Sequence, residues 1–135
     1  MTRTLFILCL FYAAATAQKV TKIPASPTSA ASGQEMYRSY CASCHGLDGK
    51  GNGPAMSALK APPTDLTQLA RRNGGRYPEM QVLNTIAGDA NVPSHGSKDM
   101  PVWGPLFSRL SASDAPKVKL RIRNLTKFIE SMQAR

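Results

Sequence analysis

Two cysteines separated by two residues, with a histidine directly after the second, constrain this chain more than any other feature: Cys41-Ala42-Ser43-Cys44-His45. The pattern reads as the attachment site of a c-type haem. Each sulfur can add across one haem vinyl group as a thioether, and the two-residue spacer presents both sulfurs to one porphyrin edge. The adjacent imidazole can then reach the iron from one side. Two other chemistries compete for the pair. A redox dithiol expects a thioredoxin-like βαβ setting, which the sequence lacks. A zinc site expects four ligands at short paired spacings, whereas His95 is the only further histidine and no second cysteine pair exists.

Haem iron takes its character from both axial ligands, so the second one matters as much as His45. Met100, in Asp99-Met100-Pro101-Val102-Trp103-Gly104, is the leading candidate. Methionine is most often core filler, and Met36, Met80 and Met132 fall on expected helices. Met56 is too near the haem motif to reach the opposite iron face. Met100 instead ends a polar loop and precedes a proline. His95 is the alternative ligand, since imidazole also binds haem iron. Trp103 reads as pocket wall, with its indole N–H placed to reach a propionate; plain packing is the competing role. Arg71, Arg72 and Arg76 are candidate propionate partners, against a solvated basic face.

The first 17 residues read as a secretory signal: a positive start at Met1-Thr2-Arg3, an apolar run from Leu5 to Ala15, and a small-x-small site at Ala15-Thr16-Ala17. The run is shorter than the ~20 residues a membrane span needs. Cleavage would remove Cys9 and leave Cys41 and Cys44 as the only cysteines. It would also remove Arg3, taking the formal net charge from +9 to +8. The expected location is therefore periplasmic or otherwise exported, with no membrane span after cleavage. Such a basic carrier suits partners with acidic docking surfaces, because opposite fields speed encounter. Lys50 and Lys98 are candidates for the docking ring. Nucleic acid, the usual rival partner for a basic chain, is set aside for lack of any recognisable motif.

Residues 18–31 are rich in Ala, Ser, Thr, Pro and Lys without apolar periodicity, and read as a flexible linker. The folded domain is expected over 32–135. Ser32-Gly33-Gln34-Glu35 is a capping-box pattern opening a helix that carries Met36, Tyr37, Tyr40 and Cys41. Gly33, Tyr37 and Cys41, four apart, share one face of it. A glycine-punctuated loop follows from Gly46 to Pro54. Leu66, Leu69 and Ala70 suggest a short helix, and Asn73-Gly74-Gly75 a turn. Another helix is expected from Pro78, with Met80, Leu83, Ile86 and Ala87 apolar and Gly88 closing it. The stretch 117–123 alternates like a strand. Over a longer window Val118, Ile122, Leu125, Ile129 and Met132 recur at helical spacing, so a terminal helix over about 114–132, capped by Ser113, is the better reading.

With these residues in place, the chain resembles the class I monohaem cytochromes c over essentially all of 32–135, and is similar to small bacterial forms associated with oxidases. The resemblance implies an all-α cytochrome c fold, three to five helices around one covalently attached haem c. It implies Cys41 and Cys44 as attachment points and His45 and Met100 as iron ligands. It matches Gly33 and Tyr37 to the first-helix crossing pair, and Leu125, Phe128 and Ile129 to the contacts of the last helix. A proline carbonyl often orients the ligating histidine in that family; Pro54 fits best, with Pro62 or Pro63 as alternatives. The implied function is non-enzymatic: one electron carried between a reductase or dehydrogenase and a terminal oxidase or other acceptor. The alternative is a haem-based gas sensor or enzyme with an open or displaceable sixth position.

Overall fold

The computed structural model describes residues 26–88 and 100–134. The expected signal, most of the expected linker, His95 and Lys98 lie outside the described residues. Those described are helical, with no strand among them.

The first helix, α1, runs in three stretches: α-helical over Gly33–Met36, widened into a π turn over Tyr37–Cys41, and α-helical again over Ala42–His45. Ser32 caps it, its hydroxyl accepting from the Glu35 N–H at 3.1 Å. The expected reciprocal bond is absent; the Glu35 carboxylate accepts from the Ser29 N–H at 3.2 Å instead. The expected four-residue stripe is kept across the wide turn: Gly33, Tyr37 and Cys41 are all buried. Met36, Tyr37, Tyr40 and Cys41 are all buried, so the turn aims an aromatic and a cysteine together at the core just where the haem motif begins.

A 3₁₀ turn over Leu66–Gln68 leads into α2, Leu69–Arg72. Helix α3 spans Glu79–Ala87 and ends on Gly88 in the left-handed conformation. Its buried residues are Val82 and Ile86, with Leu83 and Ala87 packed beside them, whereas Met80 is exposed; the expected apolar face holds except that Val82 takes the place of Met80. Helix α4, Gly104–Leu110, was not anticipated. It supplies Phe107, which is wholly buried. Helix α5 spans Ala115–Ser131, so the alternating basic stretch is helical. Its cap is Asp114, whose carboxylate accepts from the Lys117 N–H at 3.2 Å. Ser113 cannot serve, because it sits at φ 61 in the turn, and a capping residue needs extended backbone.

Helices α1 and α5 cross at Gly33. A side chain there would run into the Asn124 carbonyl and the Phe128 Cβ, so only glycine allows this approach. Tyr37 packs on Phe128 with ring centroids 5.3 Å apart. Helix α3 also packs on α5, which closes the core around Leu125 and Ile129.

The folded unit begins earlier than the expected boundary at Ser32. Tyr40 donates to the Ser26 carbonyl at 2.6 Å, Asn124 donates to the Ala30 carbonyl at 2.9 Å, and Thr28 is buried. Residues 26–31 are a strap across α1 and α5. Their polar composition hid this, because they pack through hydrogen bonds and not through apolar surface.

Candidate haem site

The carboxyl end of α1 carries Cys41, Cys44 and His45, and its last carbonyls would be orphans without outside donors. The glycine-rich loop supplies them. Ala55 N–H donates to Ser43 O at 2.8 Å, Gly53 N–H to Cys44 O at 3.0 Å, and Gly51 N–H to His45 O at 2.8 Å. Gly53 lies so close to the Ser43 and Ala42 carbonyls that a Cβ would collide with both. The loop is therefore a backbone splint for the motif. The Tyr37 hydroxyl adds a bond to the Gly46 carbonyl at 2.7 Å. Burial, then the neighbouring Cys41 and Asp48, raise the Tyr37 phenol above its ordinary range.

His45 Nδ1 stands 3.0 Å from the Thr64 carbonyl oxygen. A carbonyl only accepts, so Nδ1 carries the proton and Nε2 keeps its lone pair for a metal. The orienting carbonyl is thus that of Thr64, not Pro54. Pro54 is exposed, and the chain passes it on the outer side of the splint. Pro62 and Pro63 instead line the cavity beside Thr64.

Cys41, Cys44, His45 and Met100 line one cavity of about 470 Å³. Its walls include Pro62, Pro63, Leu66, Leu69, Val82, Ile86, Trp103 and Ile129. Trp103 packs against Tyr40 and Phe107, ring centroids 5.5 and 6.2 Å away. The floor at α2 is tied to the chain terminus. Gln133 donates to the Leu66 carbonyl at 2.8 Å and accepts from the Ala70 N–H at 2.9 Å.

The sequence-derived candidates therefore divide. Cys41, Cys44, His45, Met100 and Trp103 are brought together, as is Arg72 at the rim. Pro54, Arg71 and Arg76 are not part of the cavity wall. Lys50 is exposed and lies 3.8 Å from the Asp48 carboxylate. Sequence reasoning missed Thr64, which acts through its backbone, and the apolar wall residues Val82 and Leu59.

The residues present fit a c-type haem. Both cysteines are unpaired thiols, and they share the cavity with an imidazole, a thioether and mostly apolar walls. They fit the rival chemistries poorly. Burial, with Cys44 adding, pushes the Cys41 thiol up to about 12, the opposite of the depressed value a redox dithiol uses. Among the described residues no group of three or more His, Cys, Asp or Glu is placed to hold a metal ion.

Comparison with known proteins supports the same cofactor. Searches of curated proteins and of solved structures give no significant match. The family model described as cytochrome c oxidase, cbb3-type, subunit III matches residues 28–119, a span that starts at the buried Thr28 and takes in every cavity-lining residue except Ile129. The chain belongs to that family of c-type cytochrome domains and carries covalently bound haem c with its iron.

Proposed function

We propose that the protein is a one-electron carrier whose haem iron is held between His45 and Met100, passing electrons between respiratory redox partners. The observation that carries this reading is the one cavity shared by the attachment cysteines, an imidazole held through Nδ1 by the Thr64 carbonyl, and a methionine thioether. Bound haem supplies one reversible electron at its iron. Cys41 and Cys44 fix the porphyrin edge to α1. The Thr64 carbonyl holds His45 in one tautomer and restrains its orientation, so the imidazole would serve as a fixed iron ligand. Met100 offers a soft thioether, which favours the reduced metal and raises the potential. Leu66, Val82, Ile86 and Ile129 exclude water. A carrier of this kind makes and breaks no substrate bonds.

Export to the periplasm fits the leader pattern of residues 1–17 and the maturation chemistry of c-type haem. Among the described residues no helix is long and apolar enough to cross a membrane. The net charge, +9 for the full chain and one less once Arg3 is removed, suits acidic docking surfaces on a reductase, dehydrogenase or terminal oxidase.

Optical spectroscopy of the reduced and oxidised holoprotein tests the reading. A sulfur-to-iron charge-transfer band in the near infrared, with no carbon monoxide binding in the reduced state at neutral pH, is expected. Rapid stoichiometric carbon monoxide binding would instead identify a gas sensor or enzyme with an open sixth position. His95→Ala should leave the band in place; a band unchanged by Met100→Ala would transfer the ligand role elsewhere. Electron transfer with an acidic partner should slow as salt rises.

A further inference from the structure

Arg121 is only 3% exposed, yet no carboxylate lies within ion-pair distance of it among the described residues. An arginine cannot discharge itself in a protein. Its charge is spread instead over neutral acceptors. Nε donates to the Ser111 hydroxyl at 3.1 Å. Nη2 donates to the Thr28 carbonyl at 2.8 Å. Nη1 donates to the Thr28 hydroxyl at 3.0 Å and lies 3.7 Å from the Met36 sulfur.

The donors beyond Thr28 can be followed. The Tyr40 proton is committed to the Ser26 carbonyl at 2.6 Å, so the Thr28 hydroxyl donates to the Tyr40 oxygen at 2.9 Å. Every dipole in the chain Arg121–Thr28–Tyr40–Ser26 therefore points the same way, its negative end toward the guanidinium. The arrangement satisfies a cation without neutralising it. Two routes connect it to the cofactor cavity. Met36 precedes Cys41 on α1 by five residues, and the Tyr40 ring packs against cavity-wall Trp103.

We propose that Arg121 is a resident buried positive charge that raises the haem's reduction potential, and that the strap at residues 26–31 keeps it dry enough to do so. The proposal rests on the electron-carrier reading. Oxidised iron carries one more positive charge than reduced iron, so a nearby cation penalises the oxidised state. In a medium of low effective dielectric that penalty is several times what an exposed lysine exerts in water. Neutral partners are essential: a carboxylate in place of Thr28 would cancel the field.

Midpoint potentials of holoprotein variants test this. Thr28→Asp places a carboxylate beside Nη1 and leaves Arg121 in place. Its potential should fall below wild type. Arg121→Gln should fall likewise, and Arg121→Lys should stay nearer wild type because the charge remains. Both downward shifts should persist at high salt, since ions do not reach the site. Each variant is compared at an unchanged visible and near-infrared spectrum, so iron ligation is held constant. A Thr28→Asp potential equal to wild type would overturn the proposal, as would a shift that salt abolishes or one that occurs only with a changed spectrum. Should Arg121→Gln fail to fold, Thr28→Asp and Arg121→Lys still decide it. A wild type lacking the sulfur-to-iron band would defeat the Met100 reading and leave this comparison standing.

Discussion

The two sides of the cavity are built by different means. On the His45 side the chain is held by its own backbone. Three carbonyls of α1 are taken by loop amides, Thr64 fixes the imidazole, and Tyr37 fastens Gly46. On the Met100 side the ligand candidate is partly buried, its neighbour Pro101 has no amide to donate, and Val102 is 57% exposed. The tether there is the Trp103 N–H to the Ile86 carbonyl at 3.3 Å, with Trp103 itself seated on Tyr40 and Phe107. One side is rigid because many short-range bonds agree. The other, among the described residues, is placed by contacts two to four residues beyond the ligand candidate: Trp103 on its aromatic neighbours, and Val102 and Gly104 against the end of α3. The two proposed ligands should therefore respond differently to damage: loss at the first disturbs the fold, loss at the second disturbs mainly the iron.

The largest effect is expected at the covalent link. Replacing both Cys41 and Cys44 with alanine should abolish haem retention after denaturation, read as loss of the haem adduct in intact mass. Either single variant should lower the holoprotein yield sharply. Retention of the adduct in the double variant would place the attachment elsewhere.

Met100→Ala should come next and should separate ligation from stability. The sulfur-to-iron band should vanish, the potential should fall, and carbon monoxide should bind the reduced protein. Thermal stability should drop only modestly, by about 1 kcal/mol, since the side chain is incompletely buried. Helix content measured by circular dichroism should stay near wild type. Collapse of the fold in this variant would erase the contrast between the two sides.

The reverse test falls on the splint. Gly53→Ala puts a methyl against the Ser43 and Ala42 carbonyls, and the backbone must shift to accept it. A cost of about 2 kcal/mol is expected, as for other overpacked sites, read as a lowered unfolding midpoint in denaturant. The splint touches Cys44 and His45 through their carbonyls, so this change should also broaden the haem spectrum.

What the sequence disclosed follows the same division. The attachment motif was legible because covalent chemistry demands particular side chains at particular spacing, and the place of Met100 in the cavity wall because a methionine before a proline at a loop end is an odd place for filler. The terminal helix was legible because apolar positions recur over many turns. Thr64 was not, because its contribution is a carbonyl that every residue has; the cue of a nearby proline pointed to Pro54. Helix α4 was missed because seven residues give too few turns for a period to register, although Pro105 at its start and Leu106, Phe107 and Leu110 behind it were the available signal. Arg121 was hidden twice over. A charged residue on an amphipathic helix reads as solvated, and two of its acceptors belong to Thr28, in a segment whose composition reads as a linker.

The finest probe of the rigid side is Tyr37. Tyr37→Phe keeps the ring on Phe128 and removes the bond to the Gly46 carbonyl, at a cost of about 1–2 kcal/mol near neutral pH. The pH dependence gives the sharper test. Burial raises the Tyr37 phenol above its ordinary value of 10, so the folded state holds the proton where the unfolded chain has lost it. That contribution to stability is full below pH 10 and is lost as pH rises toward the folded value. The phenylalanine variant has no such proton. The stability gap between wild type and variant, measured by denaturant unfolding of the holoprotein at successive pH values, should therefore be constant from pH 7 to about 9 and narrow above 10. Tyr77, raised for the same primary reason, is present in both proteins and drops out of the difference. A gap that stays constant through the alkaline range would mean that the Tyr37 hydroxyl ionises as freely in the folded protein as in the unfolded chain, and that the turn after His45 is looser than its hydrogen bonds indicate.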